Sequence, residues 1–573
     1  MALDLKSLKD QLDFEVKLRH SQSTDGSIAA PQLTGSRTAV NSAEQVARDR
    51  KNTSITEADR TQKAGRKYKT RKDSRTGVLA LIAGLVILGL AVGGYYVIAR
   101  RSHPVEATKS MAVLPFKPLS ANAVDEHLGL GLADSLITRL SNIKEVIIRP
   151  TSSVRKYIGP EQDPIAAGKE LQVESVLEGN YQTVGDRIRI AVRLIRVRDG
   201  AALWADEFYE KFTDIFAVQD SISTKVGATV ASRLSSEQKN LLTKRYTDNT
   251  EAYQAYLKGR YYAGQLTKEG FDKGIAEINR AIAIDEKYAL AYDALGYYYI
   301  AAVEFILPAK IAMPLAREAA RKAVQLDDTL AGGHTWLAVV SYWYDWNFDD
   351  AEREFRRSIE LNPNDARSHV MYGMYLSSCG RHQQAIDESK RAQELDPLSP
   401  EVNTFLGQAL YFAGRQDEAI DLLRKTIERD PDYWFADVIL AQSYEEKKQL
   451  DLMLATIQTA MLKENVAPSQ LLCLAGHCYA LMGRTREALT TIEELKKRSS
   501  LGLPDASPYF IAQFYSVLGE REQAFEWLER GYQEREIFMT WLNIDPMLKQ
   551  LRSDPKFVDL VRRVGLPTIT NAN

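Results

Sequence analysis

The chain has 573 residues, 74 Lys and Arg against 76 Asp and Glu, and three Cys. This length is sufficient for several domains. The balanced charge argues against nucleic-acid binding by the main body of the protein, and three cysteines are too few for a disulfide framework.

Residues 1–76 form a polar and basic tail. They hold 16 Lys and Arg and 10 Asp and Glu, which gives a net charge of +6. From about residue 21 to 59 the tail is rich in Ser, Thr, Gly, Gln and Asn, a composition that predicts disorder. Its basic run, RKYKTRKDSR, is compatible with nucleic acid, but its position beside an apolar stretch favours contact with anionic lipid headgroups.

Residues 77–99 carry no charge. A helix of about 20 apolar residues is long enough to cross a bilayer. Seven basic residues precede this stretch between residues 63 and 75, and three follow it between residues 100 and 109. By the positive-inside bias, the sequence predicts a single-pass membrane protein with its tail in the cytoplasm and everything after the span outside it.

Residues 108–236 have the pattern of a small α/β domain. MAVLPF and EVIIRP are typical of short strands, and from residue 187 onward isoleucines alternate with arginines, as in a sheet with one solvated face. A helix from about residue 214 to 234 closes the unit. The stretch GLGLAD lacks the third glycine of a dinucleotide-binding loop and falls inside a predicted helix, so we expect no nucleotide site there.

Prolines then recur 34 residues apart, at Pro363, Pro397 and Pro431, and small residues repeat at the same spacing, at Gly373 and Gly407. This period is the signature of tetratricopeptide (TPR) repeats, each of which is a helical hairpin. Each proline follows Asp or Asn and cannot continue a helix, so it ends the second helix of its repeat. The pattern predicts about eight repeats over residues 251–538, followed by a C-terminal cap and tail over residues 539–573.

The ordered blocks SMAVLPFKPLS, LGLGLADSLITRLS, VIIRPTSSVRKY and GKELQVESVLEGNYQTVGDRIRI resemble the TolB amino-terminal-type domain over about residues 110–234. With TPR repeats behind it, this domain is similar to those of membrane-anchored bacterial regulators and adenylate cyclase-associated proteins. The resemblance implies a bacterial inner-membrane protein whose cytoplasmic part is often a winged-helix domain, an adenylate cyclase or a protein kinase. The 76-residue tail is too short for any of these.

The predicted fold class is therefore multi-domain: a single transmembrane helix, a small α/β TolB-like domain, and an all-α TPR superhelical solenoid. Such solenoids bind peptides or proteins along a concave surface that is lined mainly by the first helices of the repeats. The predicted protein-binding residues on that surface are Arg367, Met374, Gln408, Tyr411, Gln442, Glu445 and His477. Tyr411 is the expected anchor, because aromatic residues dominate interface energies.

Seven histidines are scattered along the chain without an HExxH grouping, and the sequence has no GxSxG or Walker motif. We expect no enzymatic activity, no cofactor and no metal site.

Two functions remain open at this point. The first is a membrane-anchored scaffold or sensor that binds proteins or peptides with its extracytoplasmic (periplasmic) domains. The second is a signalling or transcription regulator of the winged-helix or adenylate-cyclase-associated class that lacks its own effector domain and acts through a cytoplasmic effector bound by the tail.

Overall fold

The computed structural model describes residues 108–119, 126–159, 163–231, 233–265, 267–303, 306–463 and 468–567. All of them belong to the second of two units of the chain, which begins at Ile98. The predicted tail and the predicted span at residues 77–99 lie outside the described residues.

The α/β domain contains a mixed sheet. Its strands are β1 (Ser110–Val113), β2 (Lys117–Pro118), β3 (Ile147–Ile148), β4 (Ser175–Val184), β5 (Arg187–Arg196) and β6 (Ala202–Lys211). The order is β3-β1-β4-β5-β6, with β2 also paired to β4; β1 runs parallel to β3 and β4, whereas β4, β5 and β6 are antiparallel. The predicted alternation is confirmed, because Ile188 and Ile190 are buried while Arg187 and Arg189 are exposed.

In the part of the sheet domain that the structure describes, five α-helices accompany the sheet. They are α1 (Glu126–Leu140), α2 (Thr151–Val154), α3 (Pro164–Glu170), α4 (Ile215–Val230) and α5 (Ser236–Leu242). The glycines of GLGLAD lie within α1, as predicted, and they permit close packing. A Cβ at Gly129 would lie 2.1 Å from the backbone oxygen of Phe116, and a Cβ at Gly131 would lie 2.6 Å from Leu257 Cδ1 in the first repeat.

From residue 250 to residue 534, the described ranges contain eight helical hairpins, which confirms the TPR architecture. Their helices are α6 (Thr250–Ala263) with α7 (Lys268–Ile284), α8 (Ala289–Ala301) with α9 (Ala309–Leu326), α10 (Ala331–Val340) with α11 (Phe348–Leu361), α12 (Ala366–Ser378) with α13 (His382–Leu395), α14 (Pro400–Phe412) with α15 (Gln416–Arg429), α16 (Trp434–Glu446) with α17 (Leu450–Lys463), α18 (Ser469–Leu481) with α19 (Thr485–Ser500), and α20 (Pro508–Val517) with α21 (Arg521–Glu534).

Helix ends account for the repeated Asp-Pro and Asn-Pro pairs. Helices α11, α13 and α15 end directly before Asn362, Asp396 and Asp430, whose backbones are non-helical. Within the hairpins, Gly380 and Gly414 end the first helices with φ of 71° and 74°, in the left-handed region that glycine enters without a Cβ clash.

The chain ends in two 3₁₀ helices, Ile537–Trp541 and Pro546–Leu551, and a helix α22 (Pro555–Val564). We call residues 537–551 the C-terminal segment. Its apolar side chains are almost all buried; these are Ile537, Phe538, Met539, Trp541, Leu542, Ile544, Met547, Leu548 and Leu551.

The predicted membrane architecture requires correction. Within the ranges that the structure describes, no helix combines the length and the apolar character needed to cross a bilayer. The longest, α9, has 18 residues and carries charges such as Lys310, Arg317 and Arg321 along its length. The single-pass fold class and the inner-membrane location are therefore replaced by a mostly helical TPR solenoid with a small sheet domain.

Candidate functional site

The seven sequence-predicted groove residues divide by position. Five of them are buried: Met374, Gln408, Tyr411, Gln442 and His477. Arg367 and Glu445 are partly exposed.

The buried residues of the later repeats lie beneath the chain's own C-terminal segment. Gln442 Nε2 lies 3.6 Å from Met547 Sδ, and the rings of Phe412 and Trp541 are 5.6 Å apart. In the last repeat, Tyr509 OH donates to Asp545 Oδ2 at 2.7 Å. This part of the predicted groove is therefore filled from within the molecule.

Polar atoms remain buried in this filled region. His477 Nε2 lies 2.7 Å from Glu445 Oε1, whereas His477 Nδ1, Glu445 Oε2 and Gln408 Nε2 have no hydrogen-bond partner among the described residues. Burial, with the nearby Asp545 carboxyl, raises the pKa of Tyr411 well above its usual value. Tyr411 is thus a neutral core side chain in this arrangement.

The open concavity lies in the earlier repeats, between their first helices and the α/β domain. It is a cleft with a volume of about 270 Å³. One wall comes from α1 and α2, and the other from α6, α8, α10, α12 and α14. The lining includes Asp134, Thr151, Arg260, Asp293, Trp336, Asp365, Arg367, Asp396 and Glu401.

Arg149 joins the two walls. Its Nε and Nη2 donate to the backbone oxygens of Leu171 and Gln172, at 2.9 and 3.0 Å, just beyond α3. Its Nη1 donates to the oxygens of Glu394 and Leu395, at 2.7 and 2.6 Å, at the end of α13. Carbonyls at helix C-termini carry partial negative charge, so one buried guanidinium holds a helix of the sheet domain against a helix of the solenoid. Burial lowers the pKa of Arg149.

Further hydrogen bonds hold the α/β domain at the turns between repeats. Ser153 Oγ donates to Asp396 Oδ1 at 2.6 Å. Asn364 Nδ2 donates to the backbone oxygen of Val146 at 3.2 Å. Asp396 and Asn364 both belong to the Asp-Pro and Asn-Pro turns, so these turns fix the sheet domain as well as the hairpins.

At the first repeat, Asp134 and Arg260 form an ion pair across the cleft, with Arg260 Nη2 2.8 Å from Asp134 Oδ1. Thr151 Oγ1 also donates to Asp134 Oδ1, at 2.5 Å. This pair closes one end of the cleft and joins α1 to α6.

A stack of three planar groups lies deeper along the solenoid wall. The guanidinium carbon of Arg367 is 4.0 Å from the centre of the Tyr297 ring, and the rings of Tyr297 and Trp336 are 5.2 Å apart. Trp336 Nε1 donates to Asp293 Oδ1 at 3.0 Å. Gly332 permits this approach, since a Cβ there would lie 2.3 Å from the same oxygen.

Two carboxyls of the cleft, Asp293 and Asp396, have raised pKa values. Burial raises the pKa of Asp293 to about 7, against the opposing effect of Arg260 and the Trp336 hydrogen bond. Burial also raises the pKa of Asp396. Asp293 therefore changes its charge near neutral pH.

Among the seven predicted residues, Arg367 alone lines this cleft. Sequence reasoning missed Asp293, Trp336 and Arg260. Each of these three is a polar or aromatic residue on the first helix of a repeat, which is the pattern that identifies groove residues. The pattern was not recognised because the first three repeats do not follow the 34-residue spacing. Within the described ranges, no three His, Cys, Asp or Glu side chains are grouped so as to hold a metal ion.

The hairpins and the cleft define a TPR-containing protein of the protein-binding class. Comparison with known proteins agrees, because family models of the tetratricopeptide repeat match residues 354–387 and 378–442. Over residues 107–225 the chain matches the second domain of HilA/YgeH-like transcriptional regulators. The family matched here is a different one from the TolB amino-terminal type that the short blocks of sequence led us to expect.

One curated relative is the putative adenylate cyclase 3 of Rhizobium meliloti (strain 1021), which is 31% identical over 250 residues. The alignment spans 43% of this chain and 42% of that protein, so the chain matches less than half of its relative's length. Among solved structures, pilF of Pseudomonas aeruginosa is 20% identical and covers 37% of this chain and 92% of its own, with a TM-score of 0.30. A thermophilic TPR protein of Thermus thermophilus, TTC0263, is also 20% identical. The match covers 35% of this chain and 97% of TTC0263, with a TM-score of 0.26.

Proposed function

We propose that the chain is an interaction scaffold that binds a segment of a partner protein in the cleft between its α/β domain and the first five repeats. The observation that carries this proposal is the placement of the cleft. It is lined by the first helices of TPR repeats, the surface with which such solenoids bind ligands, and the C-terminal segment does not fill it.

The lining suits recognition of a peptide. It combines aromatic surface at Trp336 with charged groups at Asp293, Arg367 and Glu401, and binding sites usually pair apolar surface with a few well-placed polar groups. The chain would act by binding alone, with no catalysis and no cofactor, as its lack of catalytic motifs led us to expect.

The test is site-specific photocrosslinking in cells that produce the full chain. A photoreactive amino acid replaces Thr329, which is exposed at the cleft, or Glu418, which is exposed on α15 away from it. We expect protein adducts, identified by mass spectrometry, at position 329 and none of the same proteins at position 418. Equal adducts at both positions, or adducts at 418 only, contradict the proposal.

A second candidate is a regulator in a signalling system, and two comparisons favour it. One is the match to the second domain of a transcriptional regulator, and the other is the partial identity to a putative adenylate cyclase. In this role the scaffold would control a cyclase or transcription factor. Deleting the gene should then change cellular cyclic AMP or the transcription of a defined gene set, and unchanged levels of both reject this candidate.

A further inference from the structure

We propose that the cleft selects a basic, extended segment of its partner, whose Lys or Arg side chains pair with the cleft carboxylates. This inference rests on the proposed function and names the chemistry of the partner.

The first support is the charge of the lining. Two guanidiniums, Arg260 and Arg367, face five carboxyls: Asp134, Asp293, Asp365, Asp396 and Glu401. With every carboxyl ionised, the lining has two positive and five negative groups, although Asp293 ionises only near pH 7 and Arg149 lies close enough to Asp396 to interact with it. A positively charged segment matches this field, and an acidic one is opposed by it.

The second support is that two of these acids, Asp293 and Glu401, have no ion pair within 4 Å among the described residues. Asp134 is paired with Arg260. Glu401 is partly exposed and interacts electrostatically with Arg367, but it forms no hydrogen bond and no ion pair within 4 Å with any described residue. Asp293 receives a single hydrogen bond, from Trp336. An ammonium or guanidinium group from a partner would supply the missing donors.

The third support is the aromatic surface. Cations bind over aromatic faces within about 6 Å of the ring centre. Arg367 already occupies one face of Tyr297 in this way, at 4.0 Å, so the site is able to hold a guanidinium. Trp336 packs beside Tyr297 and lines the cleft with the 5% of its surface that is exposed, so the two rings lie behind Arg367 and hold it in the cleft wall. Asp293, Trp336 and Glu401 lie on α8, α10 and α14, the first helices of the second, third and fifth repeats, so a ligand that reaches all three must be extended.

The test uses the full-length chain and three fluorescein-labelled nonapeptides in a Gly-Ser background, with three Lys, three Glu or three additional Ser. Fluorescence anisotropy gives each affinity. We expect the Lys peptide to bind at least tenfold more tightly than the Glu peptide, with the Ser peptide between them. Glu401→Gln and Asp293→Asn should each weaken Lys-peptide binding at least threefold. The matched control is Glu418→Gln, on exposed α15, which should leave it unchanged.

The dependence of Lys-peptide affinity on pH gives a separate test. The groups that face Asp293 are Arg260 from α6, Trp336 from α10, and Asp365 and Arg367 from α12. Affinity for the Lys peptide should rise about threefold or more from pH 6 to pH 8 as Asp293 ionises, and Asp293→Asn should remove most of this rise. A rise that persists in the variant contradicts the role of Asp293.

The outcomes separate this inference from the proposed function. Preferred binding of the Glu peptide, or Lys-peptide binding that neither cleft variant weakens, overturns the basic-segment proposal, while adducts at position 329 would still support a scaffold. If no peptide binds and position 329 gives no adduct, both proposals fail. Circular dichroism of each variant confirms that a loss of binding is not a loss of folding.

Discussion

Gln442 of the sixth repeat reaches Met547 of the C-terminal segment, with 3.6 Å between Nε2 and Sδ, although the two residues are 105 positions apart. The contact shows that the later repeats bind the chain itself. Trp541 of the same segment packs on Phe412 of the fifth repeat and on Phe538, with ring centres 5.6 and 4.8 Å apart.

Trp541→Ala should therefore destabilise the solenoid as a whole. Its side chain is 7% exposed, and truncation of a buried Trp costs about 3–5 kcal/mol. Urea unfolding of the full chain measures the change. Val558→Ala, at a residue 58% exposed on α22, should change the stability by less than about 0.5 kcal/mol. Similar losses in the two variants would mean that the segment is not packed in the groove.

Lys448→Gly should stabilise the sixth repeat. Lys448 has φ of 57° and stands 34 residues after Gly414, at the position where other repeats place glycine. A left-handed backbone costs a non-glycine residue about 1–2 kcal/mol, so we expect a gain of about 1 kcal/mol in the free energy of unfolding. The control Glu446→Gly, at the last residue of α16, should lose about 0.5–1 kcal/mol instead. A lower free energy of unfolding in both variants would contradict the left-handed backbone conformation of Lys448.

Arg149→Ala should loosen the α/β domain from the solenoid. The variant loses four hydrogen bonds to backbone oxygens, two on each side of the contact. Hydrogen bonds of charged groups contribute about 1.5–3 kcal/mol each, and partial replacement by water should leave a net loss of about 2–4 kcal/mol. Hydrogen exchange should accelerate in residues 143–153 and 394–396. Arg486→Ala, at an exposed residue of α19, should leave exchange there unchanged.

Glu536→Gln should make stability less dependent on pH. Glu536 accepts hydrogen bonds from Ser507 Oγ at 2.7 Å and from the Tyr509 backbone N–H at 3.2 Å, and burial raises its pKa to about 7. Between the unfolded pKa of about 4.3 and the folded value, the folded state binds more protons than the unfolded state. Stability from this group is therefore present at low pH and is lost as the pH rises through 7.

Thermal unfolding at several pH values tests this sign. The melting temperature of Glu536→Gln relative to the original chain should rise from pH 5 to pH 8, by the equivalent of up to about 3 kcal/mol. Glu286→Gln, at an exposed residue, serves as the control and should show no such trend. A relative melting temperature that falls with pH would mean that the carboxyl is not buried.

The sequence predicted the hairpins because the contacts that form them are local. Gly407 illustrates this: a Cβ there would lie 2.8 Å from Leu423 Cδ2 in the second helix of the same repeat, and the 34-residue spacing marks this close approach. The alternating pattern of β5 and the helical position of the α1 glycines were likewise readable from period and composition. The same reasoning placed Arg367 on the inner face of the solenoid, where it lines the cleft.

Only the tertiary structure decided which part of that inner face is open. Periodicity assigns Gln408, Tyr411 and Arg367 to equivalent stripes, yet Gln408 and Tyr411 are buried in the repeat that Trp541 of the C-terminal segment contacts, whereas Arg367 lines the cleft. Which part of the inner face stays open depends on the small rotation between successive repeats, because this rotation accumulates over the solenoid and sets where distant residues meet. It depends also on Arg149, which binds carbonyls about 245 residues away. Such contacts leave no period in the sequence, because each occurs once and joins elements that local patterns treat as independent.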